Sequence, residues 1–78
     1  VAGVLSNQKE ADMTIAEIRE RVAQIAALKE DDESAHAAED KLHTDVLRAI
    51  AEERCLQPAA CAAEALKTAD IAFGRWRA

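Results

Sequence analysis

Met13-Thr14-Ile15-Ala16-Glu17-Ile18-Arg19-Glu20-Arg21-Val22-Ala23-Gln24-Ile25 is the stretch whose reading decides the fold. Thr14 followed three residues later by Glu17 is a capping box, in which the hydroxyl accepts from the backbone N–H of the first turn. Met13 and Ile18 occupy the two positions of a hydrophobic staple around the same cap. Ile15, Ile18, Val22 and Ile25 then recur at 3-4-3 spacing, which draws one continuous apolar stripe along a helix. Ala23, Ala26 and Ala27 allow close approach of a neighbour, with Leu28 beside the stripe. On the outer face Glu17 and Arg21 form a favourable i,i+4 pair. A helix over about 14–29 follows, and Ile15, Ile18, Val22 and Ile25 become the first candidates for an interaction seam.

Past Ile25 the stripe would continue through Lys29, Asp32 and His36, so the apolar seam fails there. The acid run Glu30-Asp31-Asp32-Glu33 is unfavourable at a helix C-terminus and favourable at an N-terminus, because the helix dipole is positive there. We therefore expect a tight turn at 30–33, with Asp31 or Asp32 capping a second helix over about 33–54. No Gly or Pro enforces the turn, and one continuous helix from Thr14 to Arg54 is the alternative. In the second helix Ala35, Ala38, Leu42, Val46, Ala49 and Ile50 form the stripe, Leu47 widens it, and Arg48 pairs with Glu52 outside.

Pro58 ends that segment, since the residue before a proline is pushed out of the helical region. Proline also suits the first helical position, so Gln57-Pro58 reads as a restart. A third helix over about 58–68 follows, with Ala62, Ala65, Leu66 and Ala69 inward. A break at Thr68–Asp70, with Asp70 capping a final turn, brings Phe73 and Trp76 together as an aromatic anchor. These two should fold back on Leu42, Val46, Ile50 and Leu66, leaving Arg75 and Arg77 in solvent. Residues 1–12 show no periodicity and read as a weakly ordered lead-in, and 13–78 as one small helical domain.

Composition agrees with an all-α class. Of the 78 residues, 19 are Ala, with only two Gly and one Pro, and Tyr is absent. Ala is the strongest intrinsic helix former, and the β-branched and aromatic residues that strands favour are few. Only 18 large apolar side chains remain once Ala and the two Cys are set aside. That is a thin core for a chain of this size, so association with itself or with another protein is expected.

The net charge of −5 is concentrated early: residues 1–33 carry eight acids and four bases, whereas residues 58–78 carry two acids and three bases. An acidic chain lacks the basic footprint that phosphate binding requires, which argues against nucleic acid as a partner, and against anionic membranes. No apolar run reaches the ~18–20 residues that span a bilayer. The opening Val1-Ala2-Gly3-Val4-Leu5 is too short and lacks the basic flank of a secretory signal. A cytoplasmic location is the expectation, and with it free thiols at Cys55 and Cys61. Cys61, inside an Ala-rich helix, reads as a small buried hydrophobe and Cys55 as partly exposed; a bridge between them is geometrically conceivable.

Candidate chemistry is sparse. His36, Glu39, Asp40 and His43 share one helical face, and two imidazoles with a carboxylate suit a divalent metal. However, His36 and His43 stand two turns apart, about 10.5 Å along the axis. Polar residues flanking a packed stripe account for them better, and no cofactor is expected. Arg75-Trp76-Arg77 is the only basic-aromatic cluster; it suits a partner's pocket or a nucleobase, though packing of Trp76 on its own core is the simpler reading. There is no Gly-rich loop, no Tyr and no buried-carboxylate pair evident from spacing, and a chain this short rarely encloses the ~300 Å³ pocket of a small-molecule site, so we expect no enzyme. The leading function is a helical protein–protein interaction module, with Ile15, Ile18, Val22, Ile25 and Trp76 as contact residues. An acidic inhibitor or modulator that mimics nucleic acid is the second, and a metal-binding helical protein the third.

The pattern Leu42-His43-x2-Val46-Leu47-x2-Ile50-Ala51, followed by Ala65-Leu66-x-Thr68-x2-Ile71-x-Phe73-x-Arg75-Trp76, resembles the C-terminal part of small helical proteins from bacteria and phages. The resemblance covers about half of the chain. It implies a recurrent packing unit that ends in an aromatic anchor, and it implies no activity.

Overall fold

The computed structural model describes residues 12–75. The expectations for the lead-in before Asp12, and for Trp76 and Arg77, lie outside the described residues. The described residues form three helices, α1 (Ile15–Ala27), α2 (Asp32–Ala51) and α3 (Pro58–Leu66), followed by a 3-10 turn over Lys67–Asp70. Each helix packs against both of the others. The fold is all-α, and among the described residues there is no strand.

α1 begins as its capping box predicts, with the Thr14 hydroxyl accepting from the Glu17 N–H at 3.1 Å. Ile18 and Ile25 are fully buried, while Ile15 and Val22 are half-buried against the same core. Thr14→Ala should lower stability by ~1 kcal/mol, read from thermal melts; an unchanged melting temperature would show that tertiary packing alone fixes this end.

The chain turns at 28–31 without Gly or Pro. Leu28 N–H donates to Ile25 O, and Asp31 N–H to Leu28 O, so two tight turns follow one another. Asp31 is the cap of α2: one carboxylate oxygen accepts from the Ser34 N–H (3.2 Å) and the other from the Ser34 hydroxyl (2.9 Å). The single long helix is thereby excluded. Arg21, expected to pair along its own helix, reaches Asp45 of α2 at 3.0 Å, where Lys41 also arrives at 3.3 Å.

α2 stops at Ala51, three residues before the expected end. Its terminus is a Schellman turn, with Glu53 N–H donating to Ile50 O and Arg54 N–H to Ala49 O. Glu53 takes the left-handed conformation (φ 59). Glycine ordinarily holds this position, and its absence hid the stop from the sequence. The next residue, Arg54, offers its carbonyl to Met13 N–H at 2.9 Å, tying the start of α1 to the α2–α3 connection.

α3 opens at Pro58 as expected, but its roll differs. The buried face is Cys61, Glu64, Ala65 and Thr68, not Ala62, Ala65, Leu66 and Ala69. The helix is turned by about one residue, or about 100°. Glu64 accounts for part of this, because it sits between Arg19 of α1 (3.3 Å) and Lys67 (3.0 Å). Thr68 accounts for the rest, through bonds described below. Consequently Leu66 is 63% exposed, Ala69 faces water, and Leu47, expected to widen the α2 stripe, is 68% exposed.

After Asp70 the chain runs on as an irregular strap over 71–75, so Asp70 ends a 3-10 turn instead of capping a further helical one. Ile71 and Phe73 pack against the core that holds Leu42 and Val46. The Gly74 N–H donates to Asp32 Oδ1 at 2.9 Å, fastening the strap to the first turn of α2.

Candidate functional site

Two neighbouring features lie where α2 meets α3: a buried polar clamp and, beside it, an open apolar groove. They share His43.

The clamp is centred on Glu39. Its position follows from the α2 stripe, since Ala35, Glu39, Leu42, Val46 and Ala49 recur at 4-3-4-3 spacing and are all buried. Glu39 thus occupies a core position, and it does so charged. Arg75 from the strap binds it in a two-pronged bond, Nε to Oε1 at 2.9 Å and Nη2 to Oε2 at 3.1 Å. The same guanidinium donates to the carbonyls of Thr68 (2.7 Å) and Ile71 (3.0 Å) and stacks on the Phe73 ring, 3.8 Å from its centre. Arg75 is therefore not in solvent as expected; it holds the strap down. A planar fork with five donors suits this task in a way no other cation does.

Burial pushes the Glu39 carboxyl up, but the bonds from Arg75 and Thr68 and the charges of Arg75 and His43 outweigh it. The net effect holds the group below the ordinary carboxylate value. Thr68 is completely buried. Its one hydroxyl proton serves either Ala65 O, at 3.2 Å, or the Glu39 carboxylate, and its oxygen lies 3.0 Å from His43 Nε2. His43 Nε2 also lies 3.3 Å from Ala65 O. With its proton on Nε2, His43 donates to Ala65 O or to the Thr68 hydroxyl.

The four residues first considered for a metal are thus divided. His36 pairs with Asp40 at 3.5 Å along the helix, Glu39 is held by Arg75, and His43 turns to α3. Among the described residues no three His, Cys, Asp or Glu side chains converge as a metal site would need. The interaction seam expected on α1 is also placed differently. Ile18 and Ile25 are inside the protein's own core, with Ile15 and Val22 packed on it, so that stripe is not a free surface.

The groove is what the roll of α3 leaves behind. It is about 270 Å³, lined by His43, Val46, Leu47, Ala62, Ala65 and Leu66. Val46 and Ala65 form the buried floor, and Leu47 and Leu66 are exposed. Apart from His43 the groove is lined by apolar side chains, in a chain of which 32% is charged; Ala59, Ala62, Ala63 and Leu66 make an uncharged face on α3, while Asp40 and Arg48 stand one turn to either side of Thr44 on α2. Sequence reasoning missed this surface because it turned both leucines inward. The signal was present in the uncharged Ala59-Ala62-Ala63-Leu66 stripe of α3, at helical spacing.

The fold and site define a small all-α protein in which the described residues form three helices and a strap clamped by an Arg–Glu pair. Comparison with known proteins finds no matching family model, no matching curated protein and no matching solved structure.

Proposed function

We propose that this chain is a non-enzymatic helical interaction module that associates with a second copy of itself through the Leu47–Leu66 face. The observation that carries the reading is the apolar groove between two exposed leucines. Large apolar side chains grouped on one face and rimmed by polar residues mark contact surfaces. A knob and a hole side by side on one patch are self-complementary under a two-fold axis, which is what an isologous dimer requires. Alanines on both flanks let another helix approach closely. The groove is open and smaller than the ~300 Å³ or more typical of small-molecule sites, which favours insertion of a side chain over capture of a metabolite.

The acidic-decoy reading finds less support, because Asp31 and Asp32 of the acid run are engaged in capping α2 and holding the strap. No helix among the described residues is long and apolar enough to cross a membrane. The cytoplasm remains the compartment we assign.

Sedimentation velocity over a range of concentrations tests the proposal. The average mass should rise from one chain of 8.4 kDa toward two, and high salt should leave the rise intact, since an apolar contact is not screened. Leu47→Asp should abolish it with helical circular dichroism unchanged, because that side chain is already in water. A single-chain mass at every concentration would reject self-association.

A further inference from the structure

Beneath the start of α1 lie two buried thiols. Cys55, in the connection after α2, and Cys61, in the opening turns of α3, are both free and both buried, at 8% and 1% exposure. Cys55 is thus not the partly exposed residue the sequence suggested. The two belong to one core cluster, and Cys61 is near enough to Cys55 to raise its thiol pKa. Pro58 and the bond from Cys61 N–H to Gln57 O (2.9 Å) fix the backbone between them. A cleft of about 240 Å³, walled by Met13, Thr14, Leu56 and Gln57, reaches Cys61 from outside.

We propose that Cys55 and Cys61 form a reversible oxidation site, converted by hydrogen peroxide into an intramolecular disulfide that staples the α2–α3 connection to α3. The geometry gives each sulfur a role. Cys61 lines the cleft, so its thiolate meets the oxidant: it attacks one peroxide oxygen, the O–O bond breaks, and a sulfenic acid and hydroxide result. Cys55 then attacks the Cys61 sulfur, the S–S bond forms, and the second hydroxide leaves. The two thiol protons convert both hydroxides to water. The sulfurs lose two electrons in total and the peroxide gains them.

Burial, and after it the neighbouring Cys61, push the Cys55 thiol above its ordinary value. Cys55 therefore waits as a thiol until the sulfenic acid appears, and the second step accelerates as pH rises, because the thiolate is the nucleophile. Burial of both groups directs the reaction within one chain and away from links between chains.

The test treats the full, folded chain with hydrogen peroxide, then unfolds it and alkylates the remaining thiols before mass spectrometry. The expected product has lost two hydrogen atoms, takes no alkyl group, and regains two alkylation sites after reduction. Cys55→Ser should stop at a sulfenic acid on Cys61 that a dimedone probe captures, and Cys61→Ser should leave Cys55 unoxidised over the same period. Should either variant fail to fold, the wild-type mass measurement decides alone. Added oxygen atoms in place of lost hydrogens, disulfide-linked pairs of chains, or two thiols still alkylated after an exposure that oxidises the unfolded chain would each overturn the proposal.

Discussion

Replacing Arg75 with Ala should lower the stability of the folded chain by ~3 kcal/mol, the lower end of the range for removing one partner of a buried ion pair. The lower end applies because Arg75 keeps about a third of its side chain in water, whereas Glu39 is almost wholly enclosed. The variant leaves a carboxylate in a core position with only Thr68 and His43 nearby, and it releases the carbonyls of Thr68 and Ile71. Arg75→Lys should recover only part of the loss, since an ammonium cannot bind both carboxylate oxygens and two carbonyls from one plane.

Acid provides the specific signature. In the wild type the Glu39 carboxyl is held below its ordinary value. Its contribution is therefore fully present above the unfolded carboxylate value of about 4.3 and is lost as pH falls through the lower folded value. Without Arg75 the burial effect is left to dominate, and the folded value moves above the unfolded one. The sign then reverses: stability linked to Glu39 is present at low pH and lost as pH rises through the raised value. Asp31, Asp45 and Glu64 are also held low, so the difference between variant and wild type is the quantity to follow. That difference in melting temperature should shrink on acidification. A constant difference from neutral to acid pH would show that Arg75 acts by packing alone.

Leu42→Ala should cost ~3 kcal/mol, and Leu47→Ala, five residues along the same helix, within about 0.5 kcal/mol of nothing in dilute protein. Leu42 has no exposed surface while Leu47 has most of its own. At about 0.05–0.15 kcal/mol per residue, a chain of this length holds about 4–12 kcal/mol in total, so the first substitution removes a large share of it. Denaturant titration of both variants makes the comparison. Equal losses would mean that Leu47 turns inward in solution, and with it the groove assigned to self-association would vanish.

The same two leucines show where the sequence could be read and where it could not. The hairpin was legible because its signals are local: a capping box at Thr14, an acid run with Asp31 at its head, and a proline at a helix start. The roll of α3 was not. An alanine-rich helix offers little apolar contrast between its faces, and polar partners supplied by other elements decide which face turns in. Arg19 draws Glu64, and His43 and Glu39 draw Thr68, at separations of 25 residues or more. Glu39 was singled out for a metal because a carboxylate on a stripe attracts that reading; the cation that claims it is a guanidinium 36 residues away. Arg75 itself looked like an ordinary solvated neighbour of an aromatic. Nothing within its own segment announces that its partner is buried in another helix.

The strap also bears on the order in which the molecule forms. Its fastenings, Gly74 to Asp32 and Arg75 to Glu39, join residues 42 and 36 apart in the chain, whereas the caps of α1 and α2 close over three residues. Bringing distant segments together costs loop-closure entropy before any contact rewards it, so the helices and their hairpin assemble first and the strap docks on a surface already made. Contacts that form after the rate-limiting step govern escape from the native state more than arrival at it. The clamp therefore acts as a latch on lifetime: it leaves the speed of folding nearly untouched and sets how long the folded chain endures before it opens.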